Sequence, residues 1–229
     1  MNLRIFDTVD DLVRAAARTI VQRASERAAF SVALSGGSTP KPLYQLLGAS
    51  PFRDELADVA VTWVVVDERY VPMTDPQSNA AMIEKTLFAG GVPPGHRFLR
   101  FKTELNDPAQ TAAELEKDWQ ALGLEKLDIV ILGVGEDGHT ASLFPGTTAL
   151  DVENRIATEV FVPRLDMWRV TITKPVIRAA GLRMVLAAGE SKQAIIRQIR
   201  EGAELPIALA TGGDVETWWF VDRAAWIAS

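Results

Sequence analysis

Asp128-Ile-Val-Ile-Leu-Gly-Val-Gly-Glu-Asp137-Gly138-His139 is the stretch on which the reading of this chain turns. Ile129 to Leu132 is apolar without interruption, as a strand covered on both faces requires, and it runs directly into glycines. Open parallel sheets bind ligands beyond the carboxyl ends of such strands. Asp137 and His139 are two positions apart around Gly138, a spacing that can turn both side chains toward one pocket. There the carboxylate orients the imidazole and favours its charged form, which suits a general base with its orienting partner. A lone histidine is more often structural, but one at a strand-end glycine turn favours chemistry. His96, in a Pro/Gly-rich loop, has only the structural reading.

Gly133-x-Gly135-x-x-Gly138 also matches the dinucleotide fingerprint formally, yet Glu136 and Asp137 fall where a pyrophosphate needs neutral backbone donors, so a nicotinamide or flavin site is disfavoured. Two distant histidines and scattered carboxylates give no metal-ligand spacing, and no metal is expected.

Working outward, helical spacing over Asp107 to Leu122, with Ala112, Leu115, Trp119 and Leu122 as the inner stripe, leads into the central strand. Val59 to Val66 reads as a second buried strand ending at Asp67-Glu68-Arg69-Tyr70, followed by a helix over Ser78 to Phe88. Phe30 to Ser35 is a third strand, broken by Gly36-Gly37-Ser38-Thr39-Pro40 before a helix through Leu43, Tyr44 and Leu47. A first helix, capped by Asp7 or Thr8, carries Leu12, Val13, Ala16, Ala17, Ile20 and Val21 on one face and Arg14, Arg18 and Arg23 toward water. Downstream, strands are predicted over Ile156 to Val162, Trp168 to Thr173, Leu182 to Ala187, Ile207 to Ala210 and Thr217 to Val221. Helices are predicted near Pro175 to Ala180 and Ser191 to Glu201. This alternation predicts an α/β fold: an open, mainly parallel, doubly wound (Rossmann-like) sheet with helices on both faces, in a single domain over 1–229.

Composition narrows the class. With 48% hydrophobic residues, the 229-residue chain can bury a substantial core. A net charge of -6 supplies no global field for nucleic acid or anionic lipid, so an anionic ligand must be held locally. No cysteine, no signal-like N-terminus and no apolar run long enough for a membrane span point to a soluble, cytoplasmic protein.

Beyond His139 and Asp137, Ser35 to Pro40 invites a phosphate, because Gly36 and Gly37 let backbone N–H groups approach an anion and Ser38 and Thr39 add donors. The same residues would serve a tight turn with Ser38 or Thr39 as helix cap. Asp67-Glu68-Arg69 fits either a site wall or a salt-bridged corner. Arg164, Arg169, Lys174 and Lys192 are available cations, Lys192 at a strand-to-helix handover. Trp218, Trp219 and Trp226 read as core or interface packing.

Taken together, Ser35 to Pro40, Val66-Asp-Glu-Arg-Tyr-Val-Pro72, Ser78-Asn79, Gly133 to Pro145, Arg169-Val-Thr-Ile-Thr173 and Ser191-Lys192 resemble the 6-phosphogluconolactonase family, within the superfamily that includes glucosamine-6-phosphate deaminase. The resemblance spans nearly the whole chain. It implies an open α/β fold and hydrolysis of 6-phospho-D-glucono-1,5-lactone in the oxidative pentose phosphate pathway, without metal or organic cofactor. It also implies His139 and Asp137 as catalytic residues and Gly36, Gly37, Ser38, Thr39, Asp67, Arg69, Asn79, Arg169 and Lys192 around the substrate. A sugar-phosphate lactone is the expected partner, with no nucleic acid or membrane, for a monomer or small homo-oligomer. The deaminase pattern has a glutamate after Asp-Gly-His and Asp-Glu-Tyr at the earlier strand end, where this chain has Phe144 and Arg69, so its ring-opening acid is missing. A non-catalytic sugar-phosphate sensor is the other alternative. An acidic chain without a preceding helix-turn-helix disfavours it.

Overall fold

The computed structural model describes residues 2–226. Seven strands, counted among those residues, form one sheet: β1 (Asn2–Phe6), β2 (Ala29–Leu34), β3 (Ala60–Val65), β5 (Arg97–Leu99), β6 (Ile129–Leu132), β9 (Leu182–Ala187) and β10 (Thr217–Asp222). Their order is β1-β10-β9-β6-β2-β3-β5, and each neighbouring pair is parallel. The central strands read as continuous apolar runs because both their faces are covered, and Ile129 through Leu132 are all fully buried. The helices are α1 (Val9–Ser25), α2 (Lys41–Leu47), α3 (Phe52–Glu55), α4 (Asn79–Thr86), α5 (Pro108–Ala121), α6 (Lys174–Ala179), α7 (Gln193–Arg200) and α8 (Pro206–Thr211).

Helix α1 follows its sequence pattern. The Thr8 side chain caps it by accepting from the Asp11 N–H, Asp10 and Asp11 sit in the positive first turn, and Arg23 sits in the last turn. Leu12, Val13, Ala16, Ala17, Ile20 and Val21 are buried, while Arg14 and Arg18 are exposed.

Two expectations need correcting. The apolar run Ile207 to Ala210 is helix α8 and not a strand. Pro206 fixes a helical φ in the first turn, and the fully buried Ile207 and Ala210 are three residues apart, the spacing of one helix face. The strands β7 (Ala157–Val162) and β8 (Met167–Ile172) leave the parallel sheet and pair with β4 (Asp67–Arg69) in a separate antiparallel sheet of order β4-β8-β7. The short link Pro163–Leu165 permits a hairpin but could not return the chain for a parallel pairing, which takes a crossover of a dozen or more residues. Strand β1 has little signature in its sequence, being brief and interrupted by Arg4.

His96 is structural. The Trp63 Nε1–H donates to its Nδ1 at 3.1 Å, so the ring proton sits on Nε2 and is directed to the Leu56 carbonyl oxygen, also 3.1 Å away. No helix among the described residues is long and apolar enough to cross a membrane.

Candidate active site

The strand order reverses its direction of growth beside β2. From there the chain builds outward through β3 to β5, then returns to place β6 on the other side of β2, followed by β9 and β10. In open α/β sheets, the crevice beyond the strand ends at such a reversal is where ligands bind. The ends of β9, β6, β2 and β3 therefore feed one cleft of about 370 Å³, large enough for a small metabolite.

Gly36, Gly37, Ser38, Thr39, Asp67, Arg69, Asn79, His139, Arg169 and Lys192 all line this cleft. Asp137 stands behind His139, its Oδ1 2.5 Å from the ring Nδ1. Residues named from six separated segments are thus brought together.

The Asp–His pair is built by its turn. Gly138 takes a φ of +79°, suited to glycine, and its N–H donates to the Gly135 carbonyl at 3.0 Å. The Gly135 N–H in turn donates to the His139 carbonyl at 2.8 Å, closing the loop on itself. A Cβ on Gly135 would sit 2.0 Å from His139 Nδ1 and 2.7 Å from Asp137 Oδ1, so glycine is what leaves room for the pair. No helix follows this turn; the chain forms a bridge between Thr140 and Leu143, so the dinucleotide pattern lacks the helix it requires. The backbone His139 N–H also points at Asp137 Oδ1, at 3.2 Å. Burial works against the charged form of Asp137, but the hydrogen bonds and charge of His139, with the charge of Arg164, outweigh it and hold the carboxyl below its usual range. An ionised Asp137 accepting from Nδ1–H leaves Nε2 as the basic nitrogen.

Phe144 is buried and stacks on the His139 ring, with centroids 4.2 Å apart and planes inclined by 24°.

Opposite the dyad, Gly36 presses its backbone against Asn79. A Cβ there would lie 1.8 Å from Asn79 Oδ1, and Asn79 Nδ2 donates to the Asp67 carbonyl at 2.7 Å. Gly37 has a φ of +111°. The buried Tyr44 hydroxyl, its pKa pushed far up by burial, donates to the Ser35 carbonyl at 2.7 Å and fixes the root of the loop. Ser35 Oγ lines the cleft buried and without a hydrogen-bond partner.

The antiparallel sheet supplies the cationic wall. Arg69 and Arg169 face each other across one β4–β8 rung, and the Nε of each is buried with no hydrogen-bond partner. Like charges directly opposite are unfavourable in a sheet, and buried unpaired donors add to the cost. Two such guanidinium groups make this wall of the cleft a favourable place for negative charge. Asp67 Oδ2 lies 3.9 Å from Arg169 and accepts from the Ser142 hydroxyl at 2.6 Å, joining this wall to the segment after the dyad.

Glu68 is the residue that sequence reasoning misread as part of a corner or site wall. It points away from the cleft and is 1% exposed. Its carboxylate accepts from the backbone N–H groups of Arg69, Asn79 and Ala80 at 2.7–2.8 Å and from the Ser78 hydroxyl at 3.0 Å, tying β4 to the start of α4. Burial pushes its carboxyl pKa up against those four donors. Glu68→Ala leaves them without their acceptor and is expected to cost roughly 2–5 kcal/mol of stability, measured by urea denaturation.

Arg169 lines the cleft. Arg164 instead pairs with Asp137 Oδ2 at 2.5 Å, and its guanidinium carbon lies 4.9 Å from the Phe144 ring centre. Lys174 pairs with Glu153 at 2.6 Å. Among the described residues, no group of three or more His, Cys, Asp or Glu side chains is placed to hold a metal ion.

An open parallel sheet whose strand ends present a glycine loop and an Asp–His dyad to one cleft, walled by a cationic rung of a small antiparallel sheet, defines an α/β enzyme acting on a small anionic molecule. The family model for glucosamine-6-phosphate isomerases and 6-phosphogluconolactonase matches residues 7–219. The chain is 33% identical to the 6-phosphogluconolactonase of Haemophilus influenzae over 230 residues, covering 98% of each chain. It is also 33% identical to that of Homo sapiens over 239 residues, covering 97% of this chain and 92% of the human one. The crystal structure of 6-phosphogluconolactonase from Thermotoga maritima superposes with a TM-score of 0.83 at 25% identity, covering 97% of this chain and 99% of that one. The chain belongs to the glucosamine-6-phosphate isomerase/6-phosphogluconolactonase family, and is an enzyme of its lactonase branch.

Proposed function

We propose that this enzyme hydrolyses 6-phospho-D-glucono-1,5-lactone to 6-phospho-D-gluconate, with His139 as the general base. The observation that carries the reading is the placement of a carboxylate-oriented imidazole in the same cleft as the glycine loop and the Arg69–Arg169 rung. Ester hydrolysis needs an activated water, stabilisation of the negative charge that develops on the carbonyl oxygen, and a grip on a remote part of the substrate that fixes the ring.

In this reading, His139 Nε2 takes a proton from water as the water oxygen bonds to C1 of the lactone. Asp137 holds Nδ1–H and stabilises the imidazolium. The carbonyl oxygen gains charge beside Arg69 and nearby backbone N–H groups. Collapse then breaks the bond from C1 to the ring oxygen, and the imidazolium returns its proton to that oxygen. The phosphate rests on Gly36, Gly37, Ser38 and Thr39 with Arg169 and Lys192, while Asp67 and Asn79 hold these walls in place. A single domain serves this chemistry without a metal or organic cofactor, in a cytoplasmic monomer or small homo-oligomer.

The test is to generate the lactone with glucose-6-phosphate dehydrogenase and follow its disappearance against the uncatalysed background. Clear acceleration is expected, together with a strong preference over unphosphorylated gluconolactone. Lys192→Ala should raise KM about tenfold or more, with part of the loss in kcat where phosphate binding is used in the transition state. No acceleration would remove the activity, and equal rates on both lactones would remove the phosphate grip.

A further inference from the structure

Asp137 has two partners, on two oxygens. Oδ1 receives His139, through Nδ1 at 2.5 Å and through the backbone N–H at 3.2 Å, and Oδ2 receives the Arg164 guanidinium at 2.5 Å. Arg164 comes from a different part of the fold, the Pro163–Leu165 turn at the tip of the β7–β8 hairpin. Its neighbour Asp166 holds a left-handed φ of +46° that closes this turn. The buried Phe144 lies between the parts, stacked on His139 and facing the guanidinium at 4.9 Å. Imidazole, carboxylate, arginine and aromatic ring thus form one closed set at the edge of the cleft.

We propose that Arg164 is a positioning residue for the dyad: it fixes the outer oxygen of Asp137, and its positive charge offsets that carboxylate, so that His139 stays neutral and basic further into acid. The inference rests on the base role given to His139. A carboxylate alone would favour the imidazolium and make the base vulnerable to protonation. A cation on the other oxygen opposes that pull while keeping the carboxylate ionised to orient the ring. Other charges around the cleft are Asp67 and Arg69 on β4, Arg169 on β8 and Lys192 after β9, with Glu136 in the dyad's own turn. Arg169 is engaged with Asp67 at 3.9 Å, and Arg69 donates to the Gln77 carbonyl at 2.6 Å. Arg164 is the cation in direct contact with the dyad carboxylate.

The side chain of Arg164 is 52% exposed, so water and salt screen its charge and the expected effect is moderate. Arg164→Met should move the midpoint of the acid limb of kcat/KM upward by about half a pH unit, or roughly threefold less activity on that limb. Each profile is to be scaled to its own alkaline plateau. Arg164→Glu should move it about twice as far, and Arg164→Lys should restore most of the parent profile. NMR titration of the ring gives a second readout independent of turnover, simplified because the chain has two histidines, and His139 should titrate higher in Arg164→Met than in the parent. Coincident limbs and ring titrations in all four proteins would overturn the proposal. So would a large rise in KM for Arg164→Met with an unmoved limb, which would make Arg164 a substrate ligand. An absent acid limb in the parent would instead remove the base reading and this inference with it.

Discussion

Replacing His139 with alanine is expected to lower kcat for lactone hydrolysis by about 10²–10⁴-fold, the usual contribution of a positioned base. The residue is part-buried and sits in a turn whose own backbone bonds do not involve the ring, so the fold should persist. Circular dichroism and a thermal melt establish that point before kinetics are compared. Loss of the stacking on Phe144 should cost about 0.5–1.5 kcal/mol, within what the fold tolerates. Residual activity above background is expected, because on the proposed function the cationic rung and glycine loop still bind and orient the substrate. KM should change little, because the proposed phosphate grip lies elsewhere in the cleft. Parent-like turnover by a folded His139→Ala would rule out this imidazole as the base.

Gly135→Ala should damage activity to a similar degree, at least about 10²-fold, without replacing a reactive group. The added Cβ would fall 2.0 Å from His139 Nδ1, far inside contact distance, so either the ring or the turn must move. The clash is also 2.7 Å from Asp137 Oδ1, and both halves of the dyad are displaced together. Such a substitution is informative because alanine brings no charge, no polar atom and little bulk. The loss should appear mainly in kcat, with the protein still retained on a phosphate-sugar affinity matrix. A Gly135→Ala enzyme with parental kcat would show that the pair as placed does not operate in catalysis.

Much of this was legible in the residues. Apolar runs at Ile129 to Leu132 and Val59 to Val66 could hardly be other than buried strands. Gly133 and Gly135 after the first, and Asp67-Glu68-Arg69 after the second, marked the strand ends where a site is expected. Those signals are local, and the site residues gathered from them lie around one cleft. What stayed hidden depends on partners distant in the chain. Nothing local tells that Met167 to Ile172 pairs with β4, because that pairing is decided by a return across much of the molecule. Ile207 to Ala210 misled for another reason: four apolar residues fit a strand as well as one helix turn, and the preceding proline was the clue that decided it. Glu68 was ambiguous because a carboxylate beside two other charges suggests solvent, whereas its real role needs three amides from α4 and its own strand. The Arg164 contact joins a hairpin tip to a turn far away in sequence, and no spacing rule reaches that far.

The facing arginines of the antiparallel sheet carry a consequence for selectivity. Held across one rung, they repel each other at a cost of roughly 0.2–1 kcal/mol for such a pair. On the proposed function, a phosphate beside Arg169 relieves part of that repulsion, and a neutral hydroxymethyl group does not. Discrimination between phosphorylated and plain sugars is on that reading partly stored in the protein itself, as tension awaiting a counter-charge.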